Sequence, residues 1–185
     1  LKSEPVLDIN ELKSMGLSEK IKIGEVIPVL LERLEDKNEK HAVAACKKMG
    51  FPWAKLVSKD GAEVLIAKDR NDLWFAFRGT EPSKLNDVMA DLNVIKNAAK
   101  AGGKVHSGFQ QEVNDLWMDV LAEIEHNDGL KNPKSVWMTG HSLGAAMATI
   151  ASTRYSPTEL FPWFEEFGFL SMIVSPSLVA DVSVC

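Results

Sequence analysis

VWMTGHSLGAAMATIAS, Val136 to Ser152, is the stretch on which the reading of this chain turns. Val136, Trp137 and Met138 are strand-type residues, whereas Leu143 to Ile150 is rich in Ala and Met with no Gly or Pro after Gly144, a helical composition. The change of period falls on Ser142. A Gly two positions to either side, Gly140 and Gly144, lets strand and helix backbones approach where a Cβ would collide, so that a serine stands exposed on a tight turn. The new helix also brings its N-terminus to that serine, and the N–H of Leu143 is then placed to meet a negative oxygen formed during attack on an ester. The pentapeptide alone occurs by chance in roughly one chain of this length in twenty, so the weight rests on the strand before it and the helix after it.

Upstream, Gln110 to His126 reads as a long helix with Val113, Leu116, Trp117, Val120, Leu121 and Ile124 on its buried face, closed by Asn127-Asp128-Gly129. Lys104 to Phe109 reads as a short extended element. Before it, Leu85, Val88, Met89 and Leu92 share one helical face. That face suits either a helix packed on the core or a small amphipathic lid over an apolar site.

Residues 53 to 80 have strand period. Ala54 to Val57 and Glu63 to Ala67 flank Lys59-Asp60-Gly61, a hairpin signal, and a second turn at Asp69 to Asp72 leads into Leu73-Trp74-Phe75-Ala76-Phe77. So continuous an apolar run suits a strand buried on both faces. It stops at Arg78-Gly79-Thr80, a backbone N–H and a hydroxyl at the end of a buried strand. Residues 1 to 50 read as helical. Leu30, Leu31 and Leu34 follow Pro28, and a second helix from Asn38 carries Ala42, Ala45, Cys46 and Met49 to a stop at Gly50.

The chain has 185 residues, 45% hydrophobic and 25% charged, which is material for one globular domain with a sizeable core. A net charge of −5, with no basic run longer than Lys47-Lys48, argues against nucleic acid or an anionic membrane surface as partner. Cys46 and Cys185 have neither metal nor redox spacing, and nothing implies a cofactor. The apolar, uncharged run Phe167 to Ala180 has 14 residues and contains Pro176, too short to span a bilayer. No basic segment followed by an apolar core marks a signal peptide, and localisation is open. The first residue is Leu1, so a processed product or a fragment is expected.

FAFRGTEPSKLNDVMADLNV, VHSGFQQEV and VWMTGHSLGAAMATIAS, in this order and spacing, resemble the class 3 lipase family of fungal-lipase-like α/β hydrolases over about residues 50 to 153. The resemblance implies a partial α/β-hydrolase fold, a mostly parallel sheet with helices on both faces. It divides the chain into an N-terminal helical segment (1–50), an incomplete lipase-like domain (51–155) and a divergent tail (156–185). It makes Ser142 the nucleophile, and the N–H groups of Thr80 and Leu143 the oxyanion hole. It also makes Lys84 to Leu92 a lid touching the lipid–water interface, and the substrate a lipid ester, acylglycerol or phospholipid. His141 precedes the serine inside the turn, so its side chain leaves in another direction and reads as structural, and His106 sits in a block whose position in the family is not the catalytic histidine. Arg78 and Asp91 suit an ion pair near the site.

The end of the chain departs from the family. There the acid and then the histidine follow the serine, whereas no histidine follows His141 here, Phe167-Gly168 is a poor stand-in for the family's Phe-Gly-x-Pro, and Asp181 is the one downstream Asp. The expectation is a serine carboxylester hydrolase cut before its triad is complete and inactive in this form. The alternative is a catalytically dead lipase-like domain that binds lipid or a protein partner. Should Phe169 to Val174 fold back as a strand, it would cover the nucleophile strand's open edge.

Overall fold

The computed structural model describes residues 18–33, 39–79, 96–98, 104–141, 143–154 and 169–174. Helices α1 (Ser18–Arg33) and α2 (Glu39–Lys48) precede three strands, β1 (Trp53–Lys59), β2 (Ala62–Lys68) and β3 (Asp72–Phe77). A small antiparallel pair, β4 (Lys96–Ala98) and β5 (Lys104–His106), leads into α3 (Ser107–His126). Then come β6 (Ser135–Gly140), α4 (Leu143–Arg154) and β7 (Phe169–Val174). The lid segment Lys84 to Leu92 lies outside the described residues.

The main sheet has the order β1-β2-β3-β6-β7. Its first two pairings are antiparallel and its last two parallel, so the expected mostly parallel sheet is evenly mixed. Connection length is the reason. Asp60 and Gly61, at φ 51° and 94°, make a two-residue turn of the type that matches hairpin twist. The next turn closes through the Asp69 carboxylate, which accepts from the N–H groups of Asn71 and Asp72 at 2.9 and 2.8 Å. Links this short permit only antiparallel neighbours, whereas the passage from β3 to β6 through α3 is long enough for a parallel crossover. β7 pairs along the whole of β6, from Ser135↔Phe169 to Gly140↔Val174. The segment does fold back as a strand along the edge of β6.

Alternation along the strands sorts the core into two layers. Leu65, Ala67, Trp74, Ala76 and Trp137 face α1 and α2, which contribute Ile27, Leu31, Ala42 and Cys46. Val64, Ile66, Phe75, Phe77, Val136 and Met138 face α3 and α4, where Val113, Leu116, Trp117 and Val120 meet Met147, Ala148 and Ala151. Helices therefore cover both faces, as the strand compositions imply, and every residue of β2 and β3 is buried. The first layer is knit by aromatic rings. Trp74 stacks on Trp137 with centroids 5.0 Å apart and planes at 11°, and Phe51 meets Trp74 edge-on at 6.3 Å.

Two boundaries differ from the sequence reading. α3 begins at Ser107 directly after β5, and α1 runs through Pro28 rather than starting beyond it. α2 ends where expected. Gly50, at φ 93°, donates to the carbonyl of Lys47 while Phe51 donates to that of Cys46, both at 3.0 Å, which satisfies two carbonyls of the last turn and folds Phe51 back onto Cys46 in the core.

Candidate active site

Parallel pairing puts the C-terminal ends of β3 and β6 side by side, with Phe77 opposite Gly140. Beyond that edge the chain turns sharply. The N–H of Gly144 donates to the carbonyl of His141 at 2.9 Å, so strand gives way to helix within the span that holds Ser142. Ser142 itself and Thr80 lie outside the described residues, and the turn is defined by what surrounds them.

Its tightness is measurable at the two glycines. A Cβ on Gly140 would lie 2.1 Å from the carbonyl oxygen of Gly144, and a Cβ on Gly144 would lie 2.3 Å from the carbonyl oxygen of Phe77 and 2.9 Å from the nitrogen of Gly79. No side chain fits at either position. The first turn of α4 is thus pressed onto the ends of both strands, a backbone-to-backbone contact that only glycine allows. Leu143, buried, is the first residue of α4, and helix geometry leaves its N–H without an intrahelical acceptor at the positive end of the macrodipole. This is the environment in which a developing oxyanion is stabilised.

At the end of β3 the Nη1 of Arg78 donates to Glu63 Oε2 at 2.6 Å, with both side chains buried. The sequence pairs Arg78 with Asp91, but Asp91 lies outside the described residues and the acid found here is Glu63, one strand away on β2. Sequence reading missed Glu63. The signal was a carboxylate followed by four apolar residues in one strand, with an Arg at the end of the next strand.

The histidines are dispersed. His141 is half-buried in the turn, and its carbonyl closes it. His106 belongs to the separate β4-β5 pair, opposite Lys96, and His126 ends α3 with Nδ1 2.6 Å from the carbonyl oxygen of Ala122. His41 is exposed on α2. Among the described residues no group of three His, Cys, Asp or Glu side chains is arranged to hold a metal, and no helix is long and apolar enough to cross a membrane.

The comparisons agree with this geometry. A lipase of Rhizopus niveus is 31% identical over 105 residues, covering 54% of this chain and 25% of its own length. A secreted mono- and diacylglycerol lipase of Malassezia globosa is 43% identical over 51 residues, 28% of this chain and 17% of that lipase. The chain thus spans well under half the length of these relatives. Among solved structures, a triacylglycerol lipase described as having a serine protease triad at its catalytic centre superposes with a TM-score of 0.54 at 19% identity, over 91% of this chain and 63% of that one. A propeptide complex of a Rhizomucor miehei lipase deletion mutant gives 0.52 at 20% identity, over 84% and 51%. These likenesses show the α/β-hydrolase fold, here in part. Residues 74–171, more than half of the chain, match the family lipase (class 3), and they contain both the Arg78-Gly79 strand end and the glycine-packed turn at Ser142, so the chain belongs to the class 3 lipase family.

Proposed function

We propose that this chain carries the nucleophile and oxyanion end of a serine carboxylester hydrolase acting on lipid esters of the acylglycerol class. The observation that carries the reading is the packing of Gly144 against Phe77 and Gly79, which joins the helix after Ser142 to the strand end before Thr80. In this reading Ser142 Oγ gives its proton to a general base, which returns it to the departing alcohol, and attacks the ester carbonyl carbon, while the N–H groups of Leu143 and Thr80 receive the oxygen that becomes negative. The tetrahedral intermediate collapses with departure of the alcohol, and water then cleaves the acyl-serine. Lys84 to Leu92 acts as the lid that meets the lipid–water interface. The acylglycerol assignment draws on the Malassezia and Rhizopus relatives, and a phospholipid ester would use the same chemistry.

The test uses the full-length protein that contains this sequence. Ser142→Ala should abolish hydrolysis of a short-chain p-nitrophenyl ester and of tributyrin, and should abolish labelling by a fluorophosphonate, with far-UV circular dichroism unchanged. Retained turnover in that variant would overturn the assignment of Ser142. Comparison of diacylglycerol with phosphatidylcholine vesicles then decides the substrate class.

A further inference from the structure

Arg78 is gripped twice by one residue. Its N–H donates to the backbone carbonyl of Glu63 at 3.0 Å, carrying the β2-β3 ladder one step past β3, and its Nη1 donates to the carboxylate of the same Glu63 at 2.6 Å. Both side chains are buried, Arg78 at 8% and Glu63 at 2% exposure. Two charges so placed lose their hydration, and a buried ion pair is seldom better for stability than apolar side chains of the same size. Its distinctive property is direction, since a charge-assisted hydrogen bond fixes its partner's position. The residue fixed here lies in the wall that the catalytic turn leans on. A Cβ on Gly144 would lie 2.8 Å from the carbonyl carbon of Arg78.

We infer that Glu63 is a positioning residue for the oxyanion side of the site. It clamps Arg78 at backbone and side chain, and so sets the path of Gly79, the residue before the Thr80 to which the functional reading gives the oxyanion. The inference rests on the functional reading above. A donor that meets the oxygen only once it is negative contributes to the transition state and not to the bound substrate, so a displaced donor lowers kcat and spares KM.

The experiment measures kcat, KM and inhibition by an alkyl boronic acid in the full-length enzyme. Glu63→Gln should lower kcat about ten- to hundredfold with KM within about twofold, and the boronic acid should weaken by a similar factor. Because Glu63→Gln removes the carboxylate charge that faces the buried Arg78, the pair Glu63→Leu with Arg78→Met is measured beside it. It removes both charges at similar volume, and should melt near the wild type yet keep the kcat defect. Glu63→Asp, which keeps the charge but withdraws the carboxylate, serves should the neutral variants not fold, with a several-fold loss of kcat expected. Wild-type kcat in a folded variant of this set overturns the inference, as does a fall in activity carried by KM with inhibitor affinity unchanged. Ser142→Ala in the same series separates the two levels: turnover there sinks the functional reading, whereas a dead Ser142→Ala beside fully active Glu63 variants sinks only the role of Glu63.

Discussion

The hydroxyl of Thr139, on β6, donates to the carbonyl oxygen of Gly24, in α1. Four residues after Gly24 stands Pro28, which has no N–H, so the helical donor that this carbonyl would otherwise receive does not exist. Thr139, fully buried, takes its place. A proline inside a helix and a polar residue inside an apolar strand thus cancel each other's defects. They also dock the N-terminal helix on β6, three residues before Ser142.

Thr139→Val should therefore destabilise the protein by about 1–3 kcal/mol, because Gly24 is left with a buried carbonyl lacking its donor. Pro28→Ala restores the helical N–H, so the double variant Thr139→Val with Pro28→Ala should recover part of that loss. Urea unfolding midpoints of the single and double variants complete the cycle. Strictly additive losses would show that the two residues do not share the Gly24 carbonyl.

Gly144→Ala and Gly140→Ala should each cost more than about 4 kcal/mol and yield little soluble protein, since the new Cβ would lie 2.3 and 2.1 Å from backbone oxygen. Gly61→Ala is the control. At φ 94° with open space around it, that position asks only for a strained backbone, about 1–2 kcal/mol. Equal expression and melting temperature for all three would contradict the packing of the turn.

Trp137→Phe should cost more than Trp74→Phe. The two indoles stack on each other in the same layer and are equally buried, so the lost apolar surface is matched. Trp137 Nε1 donates to Asp72 Oδ1 at 2.9 Å, whereas Trp74 Nε1 has no hydrogen-bond partner among the described residues. A hydrogen bond to a carboxylate makes the difference about 1.5–3 kcal/mol. Denaturant unfolding of the two variants measures it, and equal losses would remove the Asp72 bond from the account.

Cys46, with no exposed surface, has its thiol pKa pushed up by burial from its ordinary value of 9.0 to about 11. Between those values the native state holds a proton that the unfolded state has released. The stabilisation is whole below pH 9 and is lost as pH rises toward 11, by roughly 2–3 kcal/mol. Lys68, whose pKa burial lowers from 10.5, works in the opposite sense, with stability rising through its titration. The quantity to measure is therefore wild type minus Cys46→Ala, whose gap in unfolding free energy should shrink between pH 8.5 and about 11. A gap independent of pH would place the Cys46 thiol in contact with water.

The elements that were legible in the sequence are those whose causes are local. Asp60-Gly61 can hardly be anything but a tight hairpin turn, Leu73 to Phe77 has no polar residue to turn outward, and Gly50 supplies the one conformation that ends α2. The serine turn was legible for the same reason, because Gly140 and Gly144 answer to the space between two backbones a few residues apart. What only the tertiary structure decided are relations across distance. Whether β2 pairs antiparallel with β3 while β6 and β7 pair parallel depends on the length and route of each connection, which composition does not encode. That Glu63 grips Arg78, and that Thr139 supplies the donor which Pro28 withholds from Gly24, depends on which atoms the packed layers bring within hydrogen-bond reach. A buried polar group shows in the sequence as an exception, and its partner is named only by the fold that satisfies it.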